Sequence, residues 1–240
     1  MLFEQRSAEG RLVWVTRTAP YNRLTGRHVR IGGHEPVLVP VLRIEPVVTA
    51  GPLAVPNALV FTSLQGVRTH RFLPTLSSVP VFAVGERSAQ FARSRGYRTV
   101  FSADGNVSDL RRLIRKTMSP GSELLHLSAR QPAGDLLGML REDGFIARRR
   151  CVYEAVEANA KDLEWLAGGL HQIDIILVHS PRAGRCVGRW LYEQDAHWKG
   201  KVVCISAAAA SAFDFIPESR VAIAARPNER ELMSVLQDFA

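Results

Sequence analysis

Cysteine is scarce in this 240-residue chain, with only Cys151, Cys186 and Cys204, all widely spaced. An odd, sparse set argues against a disulfide framework, and no C-x-x-C pair is present to hold a metal. None of the seven histidines stands in an H-E-x-x-H or other paired spacing, so no metal centre is expected. Lysine is scarcer still: of 31 basic residues four are lysine and 27 arginine. Aromatic residues make up 8% and do not interleave with basic ones in the stripe that nucleic-acid modules show. No apolar run reaches the roughly 18 residues of a membrane span. The start, "MLFEQRSAEG", lacks an apolar core behind a basic segment. A cytoplasmic chain without a leader is therefore expected.

What the chain does have is an ordinary globular composition, 46% hydrophobic and 22% charged, with a formal net charge of +8. The positive charge is scattered apart from one run, Arg148 to Arg150. Charge alone reports a field, which a polyanionic small molecule satisfies as well as a nucleic acid does.

Short apolar strands alternate with helical patterns. Strands are predicted at 12–16, 37–41, 58–62, 79–84, 99–101, 124–128, 145–149, 174–178, 201–205 and 220–223. Val107, Leu110, Ile114 and Met118 form one helical stripe. Leu136, Leu137 and Leu140 form another, ahead of Gly144 as a left-handed cap. Asn228 with Glu231 three residues on resembles a capping box that opens a final helix with Leu232, Val235, Leu236 and Phe239 inward. Alternating strands and helices mean α/β architecture with mostly parallel sheets, and ten strands suit two five-stranded doubly wound domains better than one sheet.

Internal similarity supports the division. "LVFTSLQGV" (59–67) matches "ILVHSPRAG" (176–184), "VFAVGERSAQF" (81–91) matches "VVCISAAAASAF" (202–213), and "LVWVTR" (12–17) matches "LLHLSAR" (124–130). The parts recur in shifted order, as in a chain that begins one domain, builds a second, and returns. The expected division is 1–38 with 156–240 as a discontinuous first domain and 45–149 as the second. Segments 39–44 and 150–155, within the extended "VLVPVLRIEPV" and "RRRCVYEAVE", are the linker strands.

Read in order, "LVWVTR", "FTSLQGV", "VFAVGERSA", "LLHLSARQPAGDL" and "CVYEA" resemble the uroporphyrinogen-III synthases over nearly the whole chain from residue 11. The order and spacing carry the likeness, since no single motif is specific. The resemblance implies two flavodoxin-like domains joined by a two-stranded β-ladder, facing each other across a mobile cleft, in a monomer. It implies a cofactor-independent lyase with no metal, nucleic-acid or membrane partner. Its substrate is hydroxymethylbilane, a linear tetrapyrrole with eight carboxylates, which it closes through an azafulvene and a spiro intermediate with inversion of ring D. Unaided closure omits the inversion, so catalysis is largely a matter of holding the chain in one shape. A non-catalytic tetrapyrrole binder on the same frame is the alternative.

In open α/β sheets ligands sit beyond the carboxyl ends of the strands, where helix N-termini favour anions. The expected substrate-binding set is therefore Thr62, Ser63 and Gly66, Gly85 with Ser88, and Ser180 in the returning domain. Ser and Thr at these turns also serve as plain N-caps. From the resemblance, Arg17 stands where the family's "TR" does, and its planar fork suits a carboxylate. Arg130 occupies a comparable place after "LLHLSA". Tyr153 matches the family's linker-strand tyrosine and is the expected general acid toward the departing hydroxyl. His179 replaces a threonine common in relatives and reads as structural. Ser206 stands at an expected glycine and Ala209 at an expected threonine, so Ser206 or Ser211 is left to supply that lobe's hydroxyl.

Overall fold

The structure, a computed structural model, describes residues 10–48, 54–132 and 134–239. The opening segment through Glu9, read above as lacking a leader, lies outside the described residues. No helix among the described residues is long and apolar enough to cross a membrane.

The elements run β1 (Leu12–Val15), α1 (Tyr21–Ile31), β2 (Glu35–Leu38) and β3 (Leu42–Pro46). There follow β4 (Ala58–Phe61), α2 (Leu64–Thr69), β5 (Val81–Ala83), α3 (Glu86–Ser94), β6 (Val100–Ser102), α4 (Val107–Thr117), β7 (Glu123–Ala129), α5 (Leu136–Glu142) and β8 (Ile146–Glu157). The chain ends with α6 (Ala160–Gly169), β9 (Ile175–Val178), α7 (Pro181–Asp195), β10 (Lys201–Cys204), α8 (Ala207–Ala210), β11 (Val221–Ile223) and α9 (Glu229–Phe239). Two compact units result: Met1–Arg43 with Val156–Ala240, and Ile44–Ala155.

Unit 1 holds a parallel sheet in the order β2-β1-β9-β10-β11. Unit 2 holds the parallel order β8-β7-β4-β5-β6. Numbered by chain order, unit 1 reads 2-1-3-4-5. Unit 2 gives the same arrangement when its chain is taken to start at β7, so the two sheets are circular permutations of each other. The three sequence pairs fall at equivalent positions: β4 with β9, β5 with β10, and β7 with β1. β3 lies beside β8. Val47 N donates to Val152 O at 3.0 Å and Ala158 N to Val41 O at 3.0 Å, so the residue numbers run in opposite senses and this pair is antiparallel.

The strands are apolar on both sides because helices cover both faces of a parallel sheet. In β1, Leu12 and Trp14 enter one core, while Val13 and Val15 enter the other. In β4, Leu59 and Phe61 face one core, while Ala58 and Val60 face the other. The helices start and stop on local chemistry. Asn106 and Asp109 form a reciprocal capping box on α4, and Asn228 Oδ1 accepts from Glu231 N at 3.0 Å to cap α9. Gly144, at φ +84°, takes the left-handed turn beyond α5.

Two expectations about the strands change. The predicted strand at 37–41 is Glu35–Leu38 instead, and a separate β3 begins at Leu42. Pro40, which has no N–H to continue a ladder, stands in the break. The predicted strand at 145–149 and the linker at 150–155 are one twelve-residue strand, β8.

Helix α7 approaches the α8 segment closely. A Cβ at Gly184 would collide with the carbonyl oxygen of Ala209, and one at Gly188 with that of Ala212. Both glycines are one helical repeat apart on the same face. Gly188→Ala is expected to cost about 1–3 kcal/mol, since backbone must move to admit a methyl group. Urea unfolding followed by circular dichroism checks this, and an unchanged midpoint would show that the contact yields freely.

Candidate functional site

The candidate residues of unit 2 gather at the carboxyl ends of its strands. Ser63 ends the turn after β4 in extended conformation and caps α2, its Oγ accepting from Gly66 N at 3.1 Å. The same Oγ lies 2.8 Å from the hydroxyl of Tyr153. Tyr153 reaches it through an irregularity in β8. Ser128 pairs with Cys151 but Ala129 pairs with Tyr153, so one extra residue interrupts the alternation. Val152 and Tyr153, consecutive in sequence, consequently both enter the core with Phe61 and Leu127. The phenol ring is buried and its hydroxyl meets the strand-end turn.

Thr62, half-buried beside Ser63, places its Oγ1 3.0 Å from His126 Nε2. His126 stands on β7 at 2% exposure, and burial together with the charge of Arg149 pushes its pKa down to about 4. It is a neutral imidazole at physiological pH. Sequence reasoning missed it, because a histidine inside "LLHLSAR" carries no motif.

The two glycines of unit 2 mean different things. A Cβ at Gly66 would stand 2.7 Å from Leu127 O, so glycine there lets α2 rest on β7. A Cβ at Gly85 would meet nothing within 4 Å among the described residues. Gly85 is the N-cap of α3, with free space beside it, and Ser88 lies buried within that helix's first turn. Arg130 is 58% exposed and pairs with Glu154 at 2.6 Å, while its backbone N–H donates to Tyr153 O at 2.9 Å.

In unit 1, Ser180 repeats the geometry of Ser63. It caps α7 in extended conformation, and its Oγ accepts from Ala183 N at 3.1 Å. Ser206 stands at the N-cap of α8 without a side-chain capping bond, and Ser211 Oγ turns back to Ala208 O at 3.2 Å. Ala209 is fully buried. Helices α2 and α8 span six and four residues, so their end charges are weaker than those of a full-length helix.

Arg17 has a carboxylate partner within unit 1. Its guanidinium meets Glu229 Oε2 at 2.5 Å, and Thr25 donates to Glu229 Oε1 at 2.5 Å. His179 Nε2 approaches the same carboxylate at 3.4 Å and His28 Nδ1 at 3.6 Å, within ion-pair distance but outside hydrogen-bond geometry. His179 is 5% exposed, and burial lowers its pKa against the opposing pull of Glu229. Burial works to raise the Glu229 carboxyl. His179, Thr25 and the charge of Arg17 outweigh it and hold the pKa down at about 2. Glu229 lies 212 positions from Arg17, and nothing local to either residue announces the pair.

A depressed carboxyl pKa stabilises the fold above its unfolded value, about 4.3, and that contribution is lost as pH falls through about 2. Glu229→Gln is expected to lower stability at pH 7 by about 1–3 kcal/mol, leaving Arg17 without its charged partner. The gap between the two proteins should narrow as pH falls from about 5 to 2. Urea unfolding across that range measures it, and a pH-independent gap would show that the carboxylate charge contributes nothing. Gly85→Ala, by contrast, should leave stability within about 0.5 kcal/mol, because the methyl group enters open space.

The family model for Uroporphyrinogen-III synthase HemD matches residues 25–234. Among solved structures the fold is similar to that of uroporphyrinogen-III synthetase from Helicobacter pylori, at 17% identity and a TM-score of 0.63, over 96% of this chain and 100% of that one. It is also similar to a mutant uroporphyrinogen III synthase from the extremely thermophilic bacterium Thermus thermophilus, at 17% identity and a TM-score of 0.50, over 96% of this chain and 97% of that one. No curated protein matches the chain. The family match spans most of the sequence and the likeness of fold extends across both units, so the chain belongs to the uroporphyrinogen-III synthase family.

Proposed function

We propose that the Tyr153–Ser63 hydroxyl pair is the proton donor with which this cyclising lyase converts hydroxymethylbilane to uroporphyrinogen III and water. The observation that carries this reading is the 2.8 Å contact between Tyr153 OH and Ser63 Oγ at the carboxyl ends of unit 2's strands. Ser63 Oγ accepts from the Gly66 amide. When the Ser63 hydroxyl in turn donates to the tyrosine oxygen, the phenolic O–H becomes a stronger donor toward substrate. It protonates the terminal hydroxyl as the carbon–oxygen bond breaks, and water leaves. The electron-rich pyrrole supports the cation that remains. Ring D then closes through its substituted carbon, opens and re-closes inverted. The proton lost on re-aromatisation returns to the phenolate, so none is consumed.

Binding is assigned to Thr62 and Ser63, with Gly66 seating the α2 helix behind them, and to Gly85 and Ser88 at α3 in unit 2. Ser180 and Ser206 form the matching set in unit 1. Arg17 joins by exchanging Glu229 for a substrate acid, and the exposed Arg130 by exchanging its partner Glu154. The frame is proposed to be two flavodoxin-like lobes linked at 39–44 and 150–155, acting as a cytoplasmic monomer.

The test feeds fresh hydroxymethylbilane to the protein and resolves isomers I and III of the oxidised product. Isomer III above the uncatalysed background is expected, and Tyr153→Phe should lower kcat by about tenfold to a hundredfold with little change in KM. Isomer I alone, with tight tetrapyrrole binding, would instead identify a non-catalytic relative, a reading that Ala209 and the uncapping Ser206 favour. An unchanged kcat in Tyr153→Phe would remove the phenol from the mechanism and leave conformational control as the source of the isomer.

A further inference from the structure

The two ring nitrogens of His126 have unequal surroundings. Nε2 lies 3.0 Å from Thr62 Oγ1, whereas buried Nδ1 has no hydrogen-bond partner among the described residues. The residue is 2% exposed on β7, where its backbone pairs with Val60 on β4 and Arg149 on β8. A neutral imidazole carries one N–H. Placed on Nδ1, that hydrogen would be a buried donor without an acceptor, a rarer and costlier condition than an unused lone pair. Placed on Nε2, it points at Thr62.

We propose that His126 is a positioning residue whose Nε2–H tautomer donates to Thr62 Oγ1 and fixes the threonine as a hydrogen-bond donor toward a substrate carboxylate. A free hydroxyl is ambivalent. With Nε2–H filling one of its lone pairs, Thr62 directs its own O–H elsewhere, and its half-buried position at the end of β4 leaves the rim as that direction. The opposite tautomer would draw the threonine hydrogen into the sheet and present only lone pairs, which repel an anion. A protonated imidazole would also donate from Nε2, but the buried setting and, after it, the neighbouring Arg149 charge disfavour it. Selectivity for an acidic side chain is thus set one residue behind the rim by a group that touches no substrate. The assignment rests on Thr62 belonging to the binding set.

Two measurements test it, and the first does not depend on activity. Nitrogen-15 NMR of the histidine-labelled protein reads the tautomer of each ring, with His126→Gln identifying the signal. A neutral ring with hydrogen on Nε2 is expected, and hydrogen on Nδ1 or a charged ring at pH 7 overturns the proposal. The second is a double-mutant cycle with Thr62→Val. His126→Leu should raise KM for hydroxymethylbilane about tenfold with kcat within about twofold, and should add nothing in the Thr62→Val background. His126→Gln, which keeps an N–H near the Nε2 position, should restore KM to within about threefold. Equal losses in both backgrounds, or no rescue by glutamine, would also overturn it. If His126→Leu fails to fold, the glutamine variant and the wild-type spectrum still decide. A wild-type protein that makes no isomer III would defeat the functional reading while leaving the tautomer measurement to judge His126.

Discussion

A parallel strand covered by helices on both sides has no wet face. Each of its side chains must be apolar or find an internal partner, and each of its peptide groups is committed to the ladder. That constraint governs the rest of this protein. Strands β1, β4 and β9 are buried along their whole length, so no polar chemistry can stand in mid-strand without compensation. Thr62, Ser63, Gly85, Arg130, Ser180 and Ser206 all lie immediately beyond strand ends for this reason. There the ladder stops, the helix has not yet closed its own hydrogen bonds, and amides and hydroxyls are left over. His126 is a polar ring held inside a strand, and its side-chain hydrogen bond among the described residues runs to the strand end beside it.

The same frame is used twice but electrically in two ways. The rim of unit 1 gathers Arg17, Thr25, His28 and His179 around a carboxylate of its own. Removing that acid from water is offset by a direct arginine contact and a short threonine hydrogen bond, with two histidine rings within 4 Å of it. Unit 2 places hydroxyls at the corresponding ends, Thr62 and Ser63 with Tyr153, and the exposed Arg130 is paired with Glu154. The sheet arrangement has been kept while the rims have diverged, one built around a carboxylate and one around hydroxyls.

Much of this was legible in the residues. Apolar runs bounded by Ser, Gly and Pro located most strands, because parallel strands buried on both faces read as unbroken hydrophobic segments. The three matched sequence pairs marked structurally equivalent positions, since a strand-turn-helix unit carries its signature wherever the chain places it. Less legible was what depends on side-chain direction. Arg17 looked like a free guanidinium because Glu229 is more than 200 positions away. Tyr153 was singled out by resemblance, but its meeting with Ser63 depends on one extra residue in β8, a backbone irregularity with no composition of its own. Gly66 and Gly85 look alike as letters, yet one supports helix packing and the other borders empty space. Pro40 showed its effect only once β2 and β3 were seen to belong to different sheets.

The permuted wiring bears on how the chain is made. Ile44–Ala155 is continuous and contains all it needs to close its sheet, whereas β1 and β2 must wait for β9, the strand that seats β1, until more than a hundred further residues have left the ribosome. During vectorial synthesis the inserted lobe can therefore mature first and act as a tether that keeps the early hairpin-sized fragment close to its late partners, shortening the effective loop across which they must find one another.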